Sequence, residues 1–132
     1  MPPHQSTLGH YFAAWGARSR DDILAQLAQC WTAQSSYADP ITAPVTGPDA
    51  LADTILRFHA SFPGATLEPL SGIDTHHAFG RFAWLLRLPS PVRIDGTDYG
   101  TRTEGFDFVE FTPGHERILR IVGFFGPLAA RA

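Results

Sequence analysis

Three observations predict an α+β fold for this 132-residue chain. Apolar residues recur at helical spacing in its first half. After residue 64 the period changes to two, and Pro/Gly clusters punctuate the changeover. Helices first and a meander of strands afterwards is the order of helices packed on one face of an antiparallel sheet. No internal repeat, low-complexity tract or linker divides residues 1–132, so a single domain with one core is expected.

Leu8, Tyr11, Phe12 and Trp15 recur at helical spacing, with Ser6 or Thr7 as N-cap, and predict the first helix. Ser19 or Asp21 can cap a second helix, in which Ile23, Leu24, Leu27 and Trp31 form an apolar stripe. Gln34 to Tyr37 reads as a short strand before an Asp39-Pro40 turn. Gly47-Pro48-Asp49 then starts a third helix, with proline in the first turn where its missing N–H costs least. Leu51, Ile55, Phe58 and Phe62 share a face of it, and Phe62-Pro63-Gly64 ends it. Four strands follow, at Thr66 to Ile73, His76 to Leu88, Gly100 to Phe111 and Arg117 to Phe125. In the second of them Phe82, Trp84, Leu86 and Leu88 share an apolar parity that should face the helices. Phe79, Arg81, Leu85 and Arg87 share the other, suited to solvent or a subunit interface.

Hydrophobic residues make up 44% and charged residues 17% of the chain, which suits a packed core rather than disorder. Net charge is −3, with the basic residues scattered, and this argues against nucleic acid, which needs a clustered basic face. Cys30 is the only cysteine, so no intramolecular disulfide and no cysteine-based metal site is expected, and it reads as a small packing residue. No apolar run approaches the ~20 residues of a membrane span, and Met1 to Ser6 lacks the regions of a signal peptide. A cytoplasmic location is the expectation.

Two acids carry the chemical interest. Asp39 precedes Pro40 in Tyr37-Ala38-Asp39-Pro40, and Asp107 sits in Gly105-Phe106-Asp107-Phe108-Val109-Glu110-Phe111, on the same parity as Val109 and Phe111. Burying an acid is costly unless it is paired or kept protonated. Asp107 reads either as a functional acid or as a buried group paired with Tyr11, His76 or backbone. Asp39 reads either as a general base or as an Asx-turn residue beside Pro40. Tyr11 is either a hydrogen-bond donor or a core aromatic whose hydroxyl finds one partner. Trp15, Phe58, Phe62, Phe82, Trp84 and Phe125 could line a pocket or fill a core. His76 shares the parity of Phe82 and Trp84 and is a candidate pocket residue; adjacent His77 points the other way, so a two-histidine metal site is not expected.

The order of elements resembles the nuclear-transport-factor-2-like superfamily, and within it the SnoaL-like and ketosteroid-isomerase-like branch. The segments that carry the resemblance are Tyr11-Phe12-Ala13-Ala14-Trp15, Tyr37-Ala38-Asp39-Pro40, Gly47 with Ala50-Leu51, His76-His77 through Arg81-Phe82-Ala83-Trp84, Gly105-Phe106-Asp107-Phe108, and Arg117-Ile118 to Gly123-Phe124-Phe125. Together they span the chain from Leu8 to Phe125. The resemblance implies a cone-shaped, cystatin-like roll, a curved antiparallel sheet around three helices, and a homodimer through the outer sheet face. Ketosteroid isomerases have a Tyr in the first helix, an Asp before Pro and an Asp in the penultimate strand, which match Tyr11, Asp39 and Asp107. In that family the Asp before Pro moves a proton while the Tyr and a protonated Asp donate to an enolate oxygen. SnoaL-like cyclases are similar at Asp107, an acid/base in that family. Limonene-type epoxide hydrolases carry an acid in the last strand, where this chain has Gly123-Phe124-Phe125.

The resemblance therefore implies a cofactor-independent isomerase, cyclase or dehydratase acting on a small hydrophobic carbonyl compound, with no metal. Its alternative is a non-catalytic domain of the same fold that binds a hydrophobic ligand.

Overall fold

The computed structural model describes residues 2–132. Helix α1 runs over Pro3–Gly16, α2 over Arg20–Leu27 and α3 over Pro48–Ser61. Strands β1 (Trp31–Asp39) and β2 (Thr42–Thr46) precede α3. After it come β3 (Thr66–Pro69), β4 (Asp74–His76), β5 (Phe79–Arg87), β6 (Arg93–Ile94), β7 (Thr97–Asp98), β8 (Arg102–Phe111) and β9 (Ile118–Phe125). The main sheet has the order β2-β1-β9-β8-β5-β3, with β4 also on β5. Its inner face and the three helices enclose the core, which includes Tyr11, Trp15, Ile23, Leu51, Ile55, Phe111 and Ile121. The result is the α+β roll, with a curved sheet that does not close.

Several local expectations change. The first helix begins at Pro3 rather than near Ser6, because a proline at the first position loses no helical hydrogen bond. Ser19 is the cap of α2, its Oγ accepting from Asp22 N at 3.2 Å. Trp31 opens β1 instead of completing the α2 stripe, and its ring stacks on Tyr11 at 6.1 Å. The Asp39-Pro40 turn joins two strands, so β1 is longer than expected and β2 is an addition. The strand expected over Thr66 to Ile73 stops at Pro69. His76 to Leu88 is not one strand, because His77 takes φ 54° and turns the chain between β4 and β5.

The sheet is also not purely antiparallel. The chain leaves β1 for β2 and α3 and returns much later, so β9 lies alongside β1 in parallel. Between β5 and β8, Asp95 (φ 50°) and Gly96 (φ 80°) close a separate two-stranded hairpin, β6–β7. Asp-Gly is a strong signal for such a turn.

Candidate active site

The curved sheet and the helices leave a cavity of about 320 Å³. Tyr11, Asp39 and Asp107 all line it, from α1, the end of β1 and the middle of β8. Trp15, Phe58, Phe62, Trp84 and Phe125 line it too. Phe82 does not. It packs on Phe12 at a ring distance of 5.5 Å and borders a second hollow with Leu8 and Ile73. Its side chain shares the inward face of β5 with Trp84, but further along the strand. His76 is a correction as well. The turn at His77 puts it at an exposed strand end, its Nδ1 3.1 Å from His77 Nδ1, away from the cavity.

Asp107 is buried, only 5% exposed. Alternation along β8 turns Gly105, Asp107, Val109 and Phe111 inward. Trp84, opposite Gly105 on β5, donates its indole N–H to Asp107 Oδ1 at 3.0 Å. Gly105 makes this possible, since a Cβ there would fall 2.0 Å from Trp84 Cζ2. Burial pushes the Asp107 acid up to about 7, the Trp84 bond opposes this, and the charge of Asp39 adds to it. Desolvation wins.

Asp39 is half-buried, and both its oxygens are engaged. Tyr37 donates its hydroxyl to Oδ2 at 2.5 Å, and the Ile41 N–H donates to Oδ1 at 2.9 Å. The second bond is the Asx-type turn that the Asp-Pro sequence suggested. The turn and a place on the cavity wall therefore coexist. Gly123, on β9 between β1 and β8, separates the two acids. A Cβ on it would approach Asp107 Oδ1 to 2.8 Å and Asp39 Cβ to 3.4 Å. Its missing side chain leaves the acids facing each other across one strand.

Tyr11 is buried, and burial followed by the nearby Asp107 raises its phenol well above the usual range, with the Trp15 indole opposing. The Trp15 N–H is itself buried and completes no hydrogen bond. Tyr37, Arg57 and Tyr99 also line the cavity and did not stand out in the sequence. Tyr37 was readable as the residue two before Asp39 on one strand, hence on its face. Tyr99 was reachable only through the Asp95-Gly96 turn that folds it back onto the core. Cys30 is buried away from the cavity, its thiol pushed up to about 12 by burial, which suits packing rather than reactivity. Among the described residues no group of three or more His, Cys, Asp or Glu side chains could hold a metal ion, and no helix is long and apolar enough to cross a membrane.

No family model and no curated protein sequence matches the chain. Solved structures do. A protein from Agrobacterium tumefaciens assigned as an isomerase of the SnoaL-like family is 28% identical, with a TM-score of 0.77 over 96% of this chain and 100% of that one. One from Shewanella denitrificans assigned as a SnoaL-like polyketide cyclase is 13% identical, with a TM-score of 0.68 over 96% and 92% of the two chains. One from Kribbella flavida assigned as a ketosteroid isomerase is 17% identical, with a TM-score of 0.63 over 98% and 82%. The roll is that of the nuclear-transport-factor-2-like class. The chain has the fold of that superfamily and is similar to its SnoaL-like and ketosteroid-isomerase-like members.

Proposed function

We propose that the protein is a cofactor-independent acid/base enzyme that moves a proton on a small hydrophobic carbonyl compound. In this reading Asp39 takes the α-proton, while Tyr11 and un-ionised Asp107 donate hydrogen bonds to the oxygen of the developing enolate. One observation carries it: the Asp107 carboxyl lies on an apolar cavity with its acid pushed up to about 7. Near neutral pH a large fraction is then protonated and able to donate, whereas a carboxylate can only accept. Asp39, closer to water, faces the same space, and two acids in unlike surroundings suit a division between donor and base. Isomerisation, cyclisation and dehydration all pass through such a step. Likeness to proteins assigned as isomerases and cyclases supports that set of reactions without choosing among them.

The test is deuterium uptake next to the carbonyl of a small aryl ketone in D₂O, followed by NMR. The wild type should exceed buffer by at least about 100-fold, in the range of positioned acid/base catalysis, and Asp39→Asn should abolish the gain. A wild type that binds the ketone and exchanges nothing overturns the proposal.

That result would favour a non-catalytic ligand-binding domain. The bonds that Tyr37 and Ile41 donate to the two Asp39 oxygens support this second reading, because they give the carboxylate a structural role without any proton transfer. A homodimer through the outer sheet face belongs to the same proposal, supported by the exposed Phe79, Phe106, Phe108 and Phe124. So does a cytoplasmic location, which suits a lone reduced thiol.

A further inference from the structure

Arg57 is the one cationic side chain on the wall of the main cavity among the described residues. Its surroundings on α3 are unusual. Asp53, one turn back, is the ordinary ion-pair partner for an arginine at this position. Arg20 of α2 holds Asp53, and Asp49 as well. The Arg57 guanidinium instead donates to Thr54 Oγ1 at 3.3 Å and pairs with no carboxylate of the described residues. Thr54, Arg57, Phe58 and Ser61 all line the cavity at helical spacing, so one face of α3 supplies hydroxyls and a cation to it.

The cavity is graded from end to end. Tyr11 and Asp107 are buried, whereas Arg57 and Ser61 are exposed. Aromatic side chains, Trp15, Phe58, Tyr99 and Phe125 among them, line the same cavity and supply its apolar wall. The other charged groups facing it are acids. Asp39 is held by Tyr37 and Ile41, and Asp107 by Trp84. Asp95 sits at the exposed tip of the β6–β7 hairpin.

We infer that the substrate carries a carboxylate, which Arg57 receives at the cavity mouth while the carbonyl end reaches Tyr11 and Asp107. The orientation of the two ends rests on the proton-transfer reading above. A single guanidinium fork matches one carboxylate in two parallel hydrogen bonds. All ten basic residues of the chain are arginine and no second one lines the cavity, so a phosphate dianion would find part of its charge unmatched. The substrate class is thus an enolisable keto acid with an apolar spacer between its two oxygen-bearing ends.

Matched probes test this by calorimetry: 4-oxo-4-phenylbutanoate, and its neutral amide, 4-oxo-4-phenylbutanamide. Wild type should bind the acid about tenfold more tightly than the amide, a preference that shrinks with added salt. Arg57→Gln should bring the two affinities together by weakening only the acid, and Arg57→Lys should restore part of the gap. Arg57 is exposed, so a melting temperature close to wild type shows that the variant folds. Equal affinities in wild type, no binding of either probe, or a preference unchanged in Arg57→Gln each overturns the inference. So does a result in which Arg57→Gln and Asp95→Asn weaken both probes alike, because Arg57 would then act by pairing with the hairpin. Deuterium uptake by the same probes reads the proton-transfer proposal separately: a salt-sensitive acid preference without exchange would leave Arg57 as the carboxylate site and remove the catalytic reading.

Discussion

Trp84 lies over Gly105 and gives its indole N–H to Asp107 Oδ1, tying β5 to β8 through side chains as well as backbone. The bond engages one carboxyl oxygen. Oδ2 is left as the atom on which a proton can sit and from which it can be donated. The same bond favours the ionised form, so Trp84 restrains an acid that burial drives upward.

Trp84→Phe keeps an aromatic ring over Gly105 and removes the donor. Loss of a hydrogen bond to the charged form raises the Asp107 acid above about 7. If un-ionised Asp107 is needed for exchange, the rate falls as pH rises through that value, and in Trp84→Phe this alkaline limb moves to higher pH. Asp107→Asn, which cannot ionise, should lose the limb altogether. A rate profile of kcat/KM against pH for the three proteins checks both shifts.

Stability should carry the same signature. Asp107 titrates near 3.8 when unfolded and near 7 when folded, so between those values the native state binds more protons than the unfolded one. Its contribution is therefore destabilising as pH rises through about 4 to 7, and the penalty is complete above 7. Urea denaturation at closely spaced pH values should show this downward slope in the wild type. Asp107→Asn should flatten it and gain relative to wild type at pH 8.

Gly123 and Gly105 should differ in how they fail. A methyl group at Gly123 meets Asp107 Oδ1 at 2.8 Å and Asp39 Cβ at 3.4 Å, a contact that a carboxyl can relieve by turning. Gly123→Ala should fold with a loss of roughly 1–2 kcal/mol, but lose most proton exchange because both acids are displaced. At Gly105 the methyl group meets the rigid Trp84 ring at 2.0 Å and Phe124 O at 2.5 Å. Gly105→Ala should cost about 3 kcal/mol or more and broaden the near-ultraviolet tryptophan signal. Melting curves beside exchange rates separate the two.

Periodicity carried the helices, the inward parity of β5 and the inward Asp107, because each depends on neighbours close in sequence. What it missed depends on contacts distant in sequence. The parallel β1–β9 pair joins segments that are far apart, and no local pattern encodes it. Unbroken apolar alternation hid the turn at His77, so His76 was assigned to a face that ends before it. Resemblance brought Tyr11, Asp39 and Asp107 together, and Tyr37 lies two residues before Asp39 on one strand, yet Trp84 as the partner of Asp107 emerges only from three-dimensional register. Arg57 was hidden for another reason: its importance lies in a partner that Arg20 has taken.

Tyr37 holds Asp39 Oδ2 and lines the cavity beside it. Tyr37→Phe and Asp39→Ala should each destabilise the fold, and the double variant should cost less than their sum. A coupling of about 1–2 kcal/mol is expected for a partly buried hydrogen bond to a carboxylate. A urea double-mutant cycle measures it; additive losses would mean the bond contributes nothing in solution.

The outer sheet face supplies the last prediction. Phe106, Phe108 and Phe124 are 43–53% exposed, with Phe108 and Phe124 meeting edge to face at 6.1 Å across β8 and β9. Three such rings on adjoining strands form an apolar patch of the kind that marks an interface. Arg81–Asp74, Arg87–Glu68 and Arg120–Glu110 ion pairs lie around them and neutralise charge near the patch. If two copies associate here, Phe108→Glu places a carboxylate within the apolar contact and should weaken self-association by at least about 100-fold, because a buried unpaired charge is costly. Sedimentation velocity over a concentration series reads the change, and Phe108→Leu should retain most of the association. Both sheet faces are built from one set of strands, so the cavity behind should still bind the aryl keto acid in the monomer; loss of that binding would show that the second copy helps to shape the site.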